Sequence, residues 1–554
     1  MKLSDNLRRR GWRKSILGDH IALSNGKGIT SSQMEADKPI PVYGSGSIIG
    51  YTDKPLVFYD TIVIGRVGAC GTVQIAKAPC WISDNAMYVT QIKPGLDFHF
   101  LFFLLNYLRL GTLASRTTQP SLPQGPILNH DFPLPPLPVQ ERIMQILQKA
   151  DEIRRKRKEA LELADKILPA LFLEMFGDPA TNPKGWPKLP LGKCTAIRRG
   201  LSKRPSPAGN VPIVRIKNLT LWGLDLSWSE RVQASPQEIE RGRLLPGDIV
   251  FSPLNGSISH LAKSDVFTVP ETEIWVLDSN LCAFRVNESV VRNRFLAAFL
   301  ALPSTLELFR RRLAVKTSGG QWLLKTSTLQ GVEVPVPPLQ LQEYFIQQVE
   351  RHLDVRKKCT DALKESELCF ASLLSQSFTG ELTAEWEAAN AEWIAERQAF
   401  YERLPRLVIL ALLAEKAKRA GRAAATVLIT ALMKYVFLFQ MEGNGGRRRL
   451  YHFVPYHYGP FSKEVYADLE ALEQEGLVRV EKDPEKEKTK ITLADAAKIE
   501  ERLAVLPDDI KQDVAVIIET YGDLDHATLL STVYEKYPAY ARKSQLKRKG
   551  RRAQ

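Results

Sequence analysis

The sequence predicts an α+β protein in which a head followed by a long helix occurs twice, with a third, mainly helical module after the second copy. A repeated motif is the first observation. Residues 135–141 read Pro-Pro-Leu-Pro-Val-Gln-Glu, and residues 337–343 read Pro-Pro-Leu-Gln-Leu-Gln-Glu. The offset of 202 residues is kept without a gap as far as Phe176 and Phe378. A repeat of this length determines the fold class before any local pattern does.

The second observation is the hydrophobic spacing after each motif. The prolines hold the chain extended and give no N–H to a sheet. Apolar residues then recur at steps of three and four, more loosely in the second copy: Ile143, Ile146, Ala150, Ile153, Ala160, Ala164, Ile167 and Leu171, then Phe345, Val349, Leu353, Ala362, Phe370 and Leu373. This spacing is typical of a coiled-coil seam and predicts two long helices that pack on each other. The alternative is two unrelated amphipathic helices in separate cores. Pro169 should kink the first helix near its end.

The third observation is that the segments before the two motifs share one plan. Residues 60–68 and 248–256 both run from an aspartate through a buried strand to a glycine, and helices are predicted over 97–110 and 295–309. The loops differ, as expected for two heads that bind different targets. The predicted divisions are a first head (1–138), a first spacer helix (139–185), a second head (186–338), a second spacer helix (339–385), a helical linker (386–404) and a C-terminal module (405–554).

The C-terminal module has no second copy. Helices are predicted over 407–420, 426–441 and 463–475, and residues 477–480 with 490–493 could form a two-stranded wing. This order favours a winged-helix-like domain. Residues 542–552 include seven Lys or Arg, so this tail is predicted to be disordered and free to touch nucleic acid.

Composition indicates the environment and the class of partner. The chain has 554 residues, enough for three or more domains, and a net charge of +14 with a pI of about 9.3. A polyanion, most simply nucleic acid, is therefore an expected partner. The six cysteines form no C-x-x-C pair, which argues against zinc and fits a reducing cytoplasm. The start lacks the apolar core of a signal peptide, and no apolar run has membrane-spanning length, so a cytoplasmic protein is predicted.

Several local patterns could have either a structural or a functional role. The charge run 154–158 could be a solvated helix face or a contact with phosphate or a partner protein. Residues 507–511 faintly resemble a nuclease motif but lack the paired acid, and His452 and His457 have no acidic or thiol partners nearby in sequence. Neither a phosphate-binding loop nor an adenine-methyltransferase motif is present. No catalytic residue and no metal ligand is predicted.

Residues 1 to about 385 resemble the specificity subunit of type I restriction–modification systems. The resemblance rests on residues 132–141 and 334–343, on Gly-Gly-Gln at 319–321, and on the helix ends near Phe176 and Phe378. It implies two target recognition domains in a pseudo-two-fold arrangement, each reading half of a split site in double-stranded DNA, separated by an antiparallel two-helix coiled coil. It further implies a non-catalytic role in phage defence, with two methyltransferase subunits and restriction–translocase subunits as partners. S-adenosylmethionine, ATP and Mg²⁺ would then be bound by those partners and no cofactor by this chain.

Under this resemblance, lysines and arginines would contact phosphates while other side chains on loops reach base edges. A rigid spacer would set the distance between half-sites. The candidate DNA contacts are, in the first head, Lys27, Ser45, Arg66 and Lys77 and, in the second, Lys203, Arg204, Arg215, Lys217, Asn218, Asn255 and Lys325. Each could instead be an ordinary surface residue.

Residues 426–480 resemble the helical antitoxin-like domain of SocA-type and Panacea proteins, through residues 432–438 and 458–466. The partner of such a module cannot be named from the sequence. The alternative function is therefore an antitoxin-like or regulatory protein-interaction protein in a phage-defence locus. Genes for a methyltransferase and a helicase–nuclease beside this one would favour the DNA-recognition subunit.

Overall fold

The computed structural model describes residues 5–115, 120–220, 223–421, 426–443, 450–483 and 488–541. The chain divides into two compact units. The first contains residues 1–151 and 369–554, and the second contains residues 152–368. The predicted basic tail, 542–552, lies outside the described residues.

The first head is built from nine strands and four short helices in its described part. Its elements in chain order are α1 (Asp5–Arg9), β1 (Arg13–Ile16), α2 (Leu17–His20), β2 (Ile21–Asn25), β3 (Ile40–Tyr43), β4 (Ile48–Thr52), β5 (Thr61–Gly65), β6 (Val73–Ala76), β7 (Trp81–Ile82), β8 (Ala86–Ile92), α3 (Phe98–Tyr107), α4 (Gln124–Leu128) and β9 (Asp131–Leu134). The four-stranded sheet has the order β2-β8-β5-β6. The three-stranded sheet has the order β4-β3-β7 with β3 and β7 parallel, and β1 pairs with β9. The helix predicted over 97–110 is α3. Asp97 caps its N-terminus by accepting the N–H groups of His99 and Phe100.

A long helix, α5 (Leu137–Phe176), follows the first head. It is assigned as one continuous helix through Pro169. Gln140 lies in its first turn with no exposed surface. The side-chain oxygen of Gln140 accepts the N–H of Asp97 (2.8 Å), and its nitrogen donates to the carbonyls of Gly95 (2.8 Å) and Pro135 (2.9 Å). One side chain thus joins the proline turn, the long helix and the cap of α3.

The second head repeats the strand order of the first. Its elements in chain order are β10 (Lys188–Pro190), α6 (Leu191–Cys194), β11 (Thr195–Arg199), β12 (Val211–Val214), β13 (Leu219–Thr220), β14 (Gly223–Leu224), β15 (Glu230–Val232), α7 (Pro236–Gly242), β16 (Ile249–Phe251), β17 (Leu254–Asn255), β18 (Ser264–Val266), β19 (Val276–Leu277), β20 (Cys282–Val286), α8 (Asn293–Ala301), α9 (Pro303–Glu307), β21 (Val315–Lys316), β22 (Trp322–Leu323), α10 (Thr326–Gln330) and β23 (Glu333–Pro335). The four-stranded sheet has the order β11-β20-β16-β18. The three-stranded sheet has the order β15-β12-β19 with β12 and β19 parallel, and β10 pairs with β23.

The late helix predicted over 295–309 is not continuous. It is divided into α8, α9 and a π-helical segment over Leu308–Leu313. Leu302 is extended, and Pro303 follows it at the first position of α9. Proline has no N–H to continue a helix and disfavours helical backbone in the residue before it, which accounts for the break.

The second long helix, α11 (Leu339–Thr379), begins as the first one does. Gln342 is fully buried and is the counterpart of Gln140. Its oxygen accepts the N–H of Arg292 (2.8 Å), the residue that precedes α8, and its nitrogen donates to the carbonyl of Pro337 (2.7 Å). In both copies, therefore, the motif attaches a long helix to the head that precedes it.

Within the second unit, α5 and α11 contact each other and run antiparallel. Phe172 packs against Phe345 with ring centroids 5.7 Å apart. Asp165 pairs with Arg356 at 2.7 Å, and Arg157 donates to the carbonyl of Ala362 at 2.6 Å. The residue numbers rise on one helix as they fall on the other, which defines the direction.

Within the first unit, the other ends of the same helices share one core. Val139 and Ile143 of α5 are buried in the cluster that contains Phe378, and Phe370 of α11 packs against it. The Phe378 ring lies 5.3 Å from that of Phe100 in α3. The alternative of two unrelated helices in separate cores is therefore wrong.

Three of the residues predicted in the apolar seam are not buried. Ile153 and Ile167, both predicted in the seam, are 41% and 49% exposed, and Leu353 is 36% exposed. The polar contacts of Arg157 and Asp165 join the helices in this stretch instead. Spacing along the sequence identified amphipathic helices but not which side chains face the partner helix.

The C-terminal module has its own core, which includes Leu407, Phe437 and Ile518. Its sheet has the order β24-β28-β27, so the predicted hairpin is present and carries a third strand; the elements from residue 384 onward are α12 (Ala384–Ala389), α13 (Ala391–Arg419), β24 (Val427–Leu428), α14 (Ile429–Glu442), β25 (Val454–Tyr456), β26 (Gly459–Phe461), α15 (Lys463–Gln474), β27 (Val478–Asp483), β28 (Lys488–Leu493), α16 (Ala496–Leu503), α17 (Asp508–Tyr521) and α18 (His526–Lys536).

The boundary predicted between residues 404 and 405 falls inside a helix. α13 runs through Pro405 without interruption. Ile394 of this helix is buried in the core of the first head, whereas Leu404 and Leu407 are buried in the core of the module. One helix therefore serves two cores, and no change of composition marks the point where it passes from one to the other.

The C-terminal module is joined to the first head and to the start of α5 by specific bonds. Gln91 donates to the carbonyl of Phe453 (3.2 Å), and Gln398 accepts the N–H of Leu137 (3.0 Å). Tyr401 donates to Glu141, and burial raises the pKa of that carboxyl. Glu141, the last residue of the repeated motif, thus contacts α13, the helix that leads into the module.

No helix in the described part of the chain has both the length and the apolar character needed to cross a membrane. The same residues contain no group of three or more His, Cys, Asp or Glu side chains arranged to hold a metal ion.

The buried glutamine gives the first prediction. Gln140→Leu should destabilise the first unit by about 3 kcal/mol or more, because one N–H and two carbonyls lose their partners and each such loss costs about 1–3 kcal/mol. Urea unfolding of the full chain measures this. Gln145→Leu, an exposed position one turn along α5, should stay within about 0.5 kcal/mol of the parent. Equal stability of the two variants would contradict the role of Gln140.

Candidate nucleic-acid interface

Loops at one end of the first head bring three of its four candidate residues together. Lys27 follows β2, Ser45 follows β3 and Arg66 follows β5. The backbone N–H of Lys27 donates to the carbonyl of Ile82 (2.9 Å), and a guanidinium nitrogen of Arg66 donates to the carbonyl of Asp84 (3.3 Å). We call this surface, formed by residues 26–28, 44–49, 65–72 and 82–85, the first loop cluster.

Close backbone contacts hold the first loop cluster in place. A Cβ on Gly26 would lie 2.1 Å from the carbonyl oxygen of Ser83, and a Cβ on Gly65 would lie 2.4 Å from that of Ser45. No side chain fits at such distances, so glycine is required at both positions. The loops can therefore support side chains that must be held at fixed positions.

The first loop cluster combines cationic and apolar groups. Lys27 is exposed and Arg66 is partly exposed, and neither forms an ion pair within the described residues. Ile48 and Ile49, at the tip of the β3–β4 hairpin, are 44% and 48% exposed. Cations can contact phosphates, and apolar side chains can contact the methyl group of thymine in the major groove. The two isoleucines were not among the candidates, because an isoleucine in a predicted strand is ordinarily part of a core.

Lys77 is not part of this cluster. It follows β6, whose register places Ala76 opposite Thr61, at the other end of the β5–β6 pair from Gly65. Its amine lies 2.7 Å from the carboxylate of Asp60. Lys77 is therefore placed as the surface partner of a partly buried aspartate.

The second head has a glycine that matches Gly26. A Cβ on Gly200, directly after β11, would lie 2.1 Å from the carbonyl oxygen of Leu277 and 2.4 Å from that of Asp278. Arg199 beside it is exposed and donates to the hydroxyl of Thr326 (3.0 Å), next to the candidate Lys325. Arg199 was not predicted, although its position before a glycine at the end of a strand, as Asn25 stands before Gly26, is a usable signal.

Two candidates of the second head have internal structural roles. Asn218 is fully buried; its oxygen accepts the N–H of Arg215 (3.0 Å), and its nitrogen donates to the carbonyls of Asp225 and Trp228 (3.0 Å each). Arg215 pairs with Glu230 (2.6 Å) and with buried Asp278 (3.0 Å), and these contacts, that with Glu230 most, raise the pKa of its guanidinium. Contact of Asn218 with DNA is incompatible with its burial, so that prediction is corrected.

The remaining candidates of the second head are separate from one another. Lys203 pairs with Glu238 at 2.8 Å and lowers the pKa of that carboxyl. Asn255 accepts the N–H of Ser257 (3.1 Å) beside the β17–β22 pair. The exposed cations are Arg204, Lys217 and Lys325. No direct contact joins these three within the described residues, so the second head does not show one compact cluster of its candidates.

Comparison with known proteins identifies relatives of part of the chain. Residues 9–163 match the family model of the type I restriction modification DNA specificity domain. The specificity subunit of the type I restriction enzyme EcoKI from Escherichia coli K12 is 25% identical over 236 residues, which is 42% of this chain and 49% of that protein. The StySPI specificity subunit from Salmonella potsdam is 23% identical over 286 residues, 49% of this chain and 61% of that protein. The chain thus spans about half to three fifths of the length of these relatives.

A shorter match is somewhat closer in sequence. A specificity subunit assigned to the type I restriction enzyme MjaX of Methanocaldococcus jannaschii is 31% identical over 130 residues, 22% of this chain and 31% of that protein. Among solved structures, the S subunit of a type I restriction–modification system from M. genitalium aligns with 68% of this chain and 98% of its own, at 18% identity and a TM-score of 0.44. The three sequence relatives are all specificity subunits of type I restriction enzymes.

Proposed function

We propose that this chain is the DNA-recognition subunit of a type I restriction–modification complex. The observation that carries the proposal is the duplicated head: two sheets of the same strand order, each attached to a long helix by a buried glutamine, with different side chains on their loops. The specificity-domain match of residues 9–163 and the related specificity subunits support it. The net charge of +14 is appropriate for binding a polyanion.

In this proposal each head reads one half of a split DNA site. The first loop cluster would contact DNA through Lys27, Ser45 and Arg66, with Ile48 and Ile49 beside them. The exposed cations Arg204, Lys217 and Lys325, with Arg199, are the proposed contacts of the second head. The helices α5 and α11 would act as an antiparallel coiled coil that sets the distance between half-sites.

Catalysis belongs, in this proposal, to partner chains. Two methyltransferase subunits and restriction–translocase subunits would assemble on this chain and carry S-adenosylmethionine, ATP and Mg²⁺. The chain itself would contribute base recognition and spacing, which require fixed donors, acceptors and apolar groups but no reacting side chain.

We further propose that the C-terminal module belongs to the antitoxin-like class that its motifs resemble. The two segments that carry the resemblance, 432–438 and 458–466, meet in one core, which supports this assignment. The hairpin of β27 and β28 after α15 is the arrangement of a winged-helix-like domain.

The positions of Lys27 and Arg66 in the first loop cluster give a prediction for DNA binding, and Lys77, outside that cluster, provides a matched control. Lys27→Ala and Arg66→Ala should each weaken binding to a duplex that contains the cognate site and reduce the slope of log affinity against log salt by about one, because one phosphate contact is lost. Lys77→Ala should leave the slope unchanged, since its amine is paired with Asp60. Fluorescence anisotropy at several salt concentrations, with the methyltransferase complex assembled, measures both. Equal slopes for all three variants would argue against the first loop cluster.

Modularity of the heads is the most direct test of the proposed function. Replacing residues 186–338 with the corresponding head of another protein of the same plan should change one half of the methylated sequence and leave the other half as it was. Methylome sequencing of a host that expresses the complex gives the result. A change in both halves, or no methylation that depends on this chain, would exclude the proposal.

A further inference from the structure

The C-terminal module contains a buried lysine that the proposed DNA recognition does not use. Lys434 lies on α14 within a run, residues 432–441, in which every side chain is buried, and it is itself only 2% exposed. The other polar groups of this run have partners: Tyr435 donates to the carbonyl of Gly522, and Gln440 bonds the backbone of Leu450 and Tyr451. Within the described residues the amine of Lys434 has neither a hydrogen-bond acceptor nor a carboxylate.

An unpaired ammonium at this depth is unfavourable, and buried lysines are ordinarily matched by an acid or lose their proton. Burial lowers the pKa of Lys434 to about 8. The amine therefore remains available to any anionic group that can reach it. A side chain kept only for packing would be served better by methionine or leucine, which carry no charge.

The end of the Lys434 side chain lies where three elements meet. A Cβ on Gly459, in β26, would stand 3.4 Å from Cε of Lys434, 3.2 Å from Leu530 and 3.3 Å from Tyr534 on α18. Gly459 has φ of +93° and no side chain, which lets the hairpin pack directly against the end of the lysine side chain. His526 begins α18, and its buried Nδ1 has no hydrogen-bond partner in the described residues.

The His526 ring and the Lys434 amine act on each other electrostatically. Burial, and after it the positive charge of Lys434, lower the pKa of His526. The carboxylate of Asp525 is engaged with the N–H groups of Ala527 and Thr528 and the hydroxyl of Thr528. An amine without an acceptor thus lies near an unpaired imidazole nitrogen, which is a donor in one of its tautomers, and this combination favours an anion.

The hairpin that contains Gly459 also carries an aromatic surface. The β25–β26 hairpin, residues 454–461, contains no Lys, Arg, Asp or Glu. Tyr456 and Tyr458 are 46% and 50% exposed, and Tyr466 on α15 is exposed as well. The rings of Tyr456, Phe461 and Tyr466 form a continuous row, with centroids 4.8 Å and 5.7 Å apart. Exposed aromatic side chains, tyrosine among them, are enriched at protein-binding surfaces.

We propose that this surface, which we call the Lys434 site, binds a segment of a partner protein. The segment places the carboxylate of an Asp or Glu against Lys434 and His526, and it places apolar side chains against the row formed by Tyr456, Phe461 and Tyr466. Charge complementarity selects the carboxylate, since the neighbouring acid, Asp525, is already bonded to the first turn of α18. A nucleic acid would need several cations along the rim to contact successive phosphates, and the hairpin has none. This proposal is independent of DNA recognition by the heads.

The test uses the full-length chain and a library of random twelve-residue peptides displayed on phage. Selection on the parent chain, with removal of phage that bind Lys434→Met, should enrich peptides with Asp or Glu at one fixed position and apolar or aromatic neighbours. An enriched peptide, synthesised with Glu and with Gln at that position, should bind the parent at least tenfold more tightly in the Glu form. Lys434→Met and Tyr456→Ala should each reduce binding of the Glu form at least tenfold.

Matched variants separate the Lys434 site from a general effect on folding. Lys463→Met, an exposed lysine two residues after the hairpin, should bind the Glu peptide as the parent does. Lys434→Met should keep or raise the thermal unfolding temperature and leave DNA binding by the heads unchanged. The proposal is overturned if no peptide distinguishes the parent from Lys434→Met, or if the Glu and Gln peptides bind equally. It is also overturned if a single-stranded oligonucleotide binds the parent more tightly than Lys434→Met while no peptide does.

Discussion

Each head is held to a long helix by one buried glutamine, and the duplicated architecture depends on that attachment. The prolines before Gln140 and Gln342 supply carbonyls but no N–H groups, so the chain leaves the sheet with acceptors that need a donor. The glutamine amide provides the donor to Pro135 or Pro337, while its oxygen accepts the N–H of the residue that caps α3 or α8. A leucine could fill the space but could not satisfy these groups, which explains why the motif joins prolines to a glutamine.

The two long helices use different interactions along their length. At one end of the pair Val139 and Ile143 share an apolar core with Phe378, and at the other end Phe172 and Phe345 share another. Between them the helices are also joined by polar contacts, one between Asp165 and Arg356 and one between Arg157 and the Ala362 carbonyl. Apolar clusters supply most of the free energy of packing, whereas directional polar contacts favour one register of the helices. A fixed register is what the proposed spacer of constant length would require.

The features that could be predicted from the sequence were those that recur in it. The motif at 135–141 and 337–343 predicted the long helices, and the patterns around 60–68 and 248–256 predicted equivalent strands. A second repeat was not recognised: Gly11-Trp12 with Leu17-Gly18 recurs as Gly185-Trp186 with Leu191-Gly192. Both glycines before tryptophan have positive φ, and Gly18 and Gly192 pack against the carbonyls of Leu128 and Gln330.

What could not be predicted depended on which side chains meet across the fold. Lysine, arginine and asparagine were selected as DNA contacts by residue type, which does not reveal that Asn218 is buried or that Arg215 has two acidic partners distant in sequence. The exposure of Ile153 and Ile48 is equally a property of their surroundings. The passage of α13 from one core to another left no mark in composition, and the buried Lys434 could be recognised only once its neighbours were known.

The central claim is that paired helices of fixed length hold two reading heads at a set spacing on DNA. Methylome sequencing with a variant that gains seven residues in α5 near Lys158 and seven in α11 near Asp361 tests it most directly. Seven helical residues add about 10 Å, roughly three base pairs of duplex. The account predicts unchanged half-sites separated by a spacer about three base pairs longer. Methylation of the original site with its original spacer would contradict it.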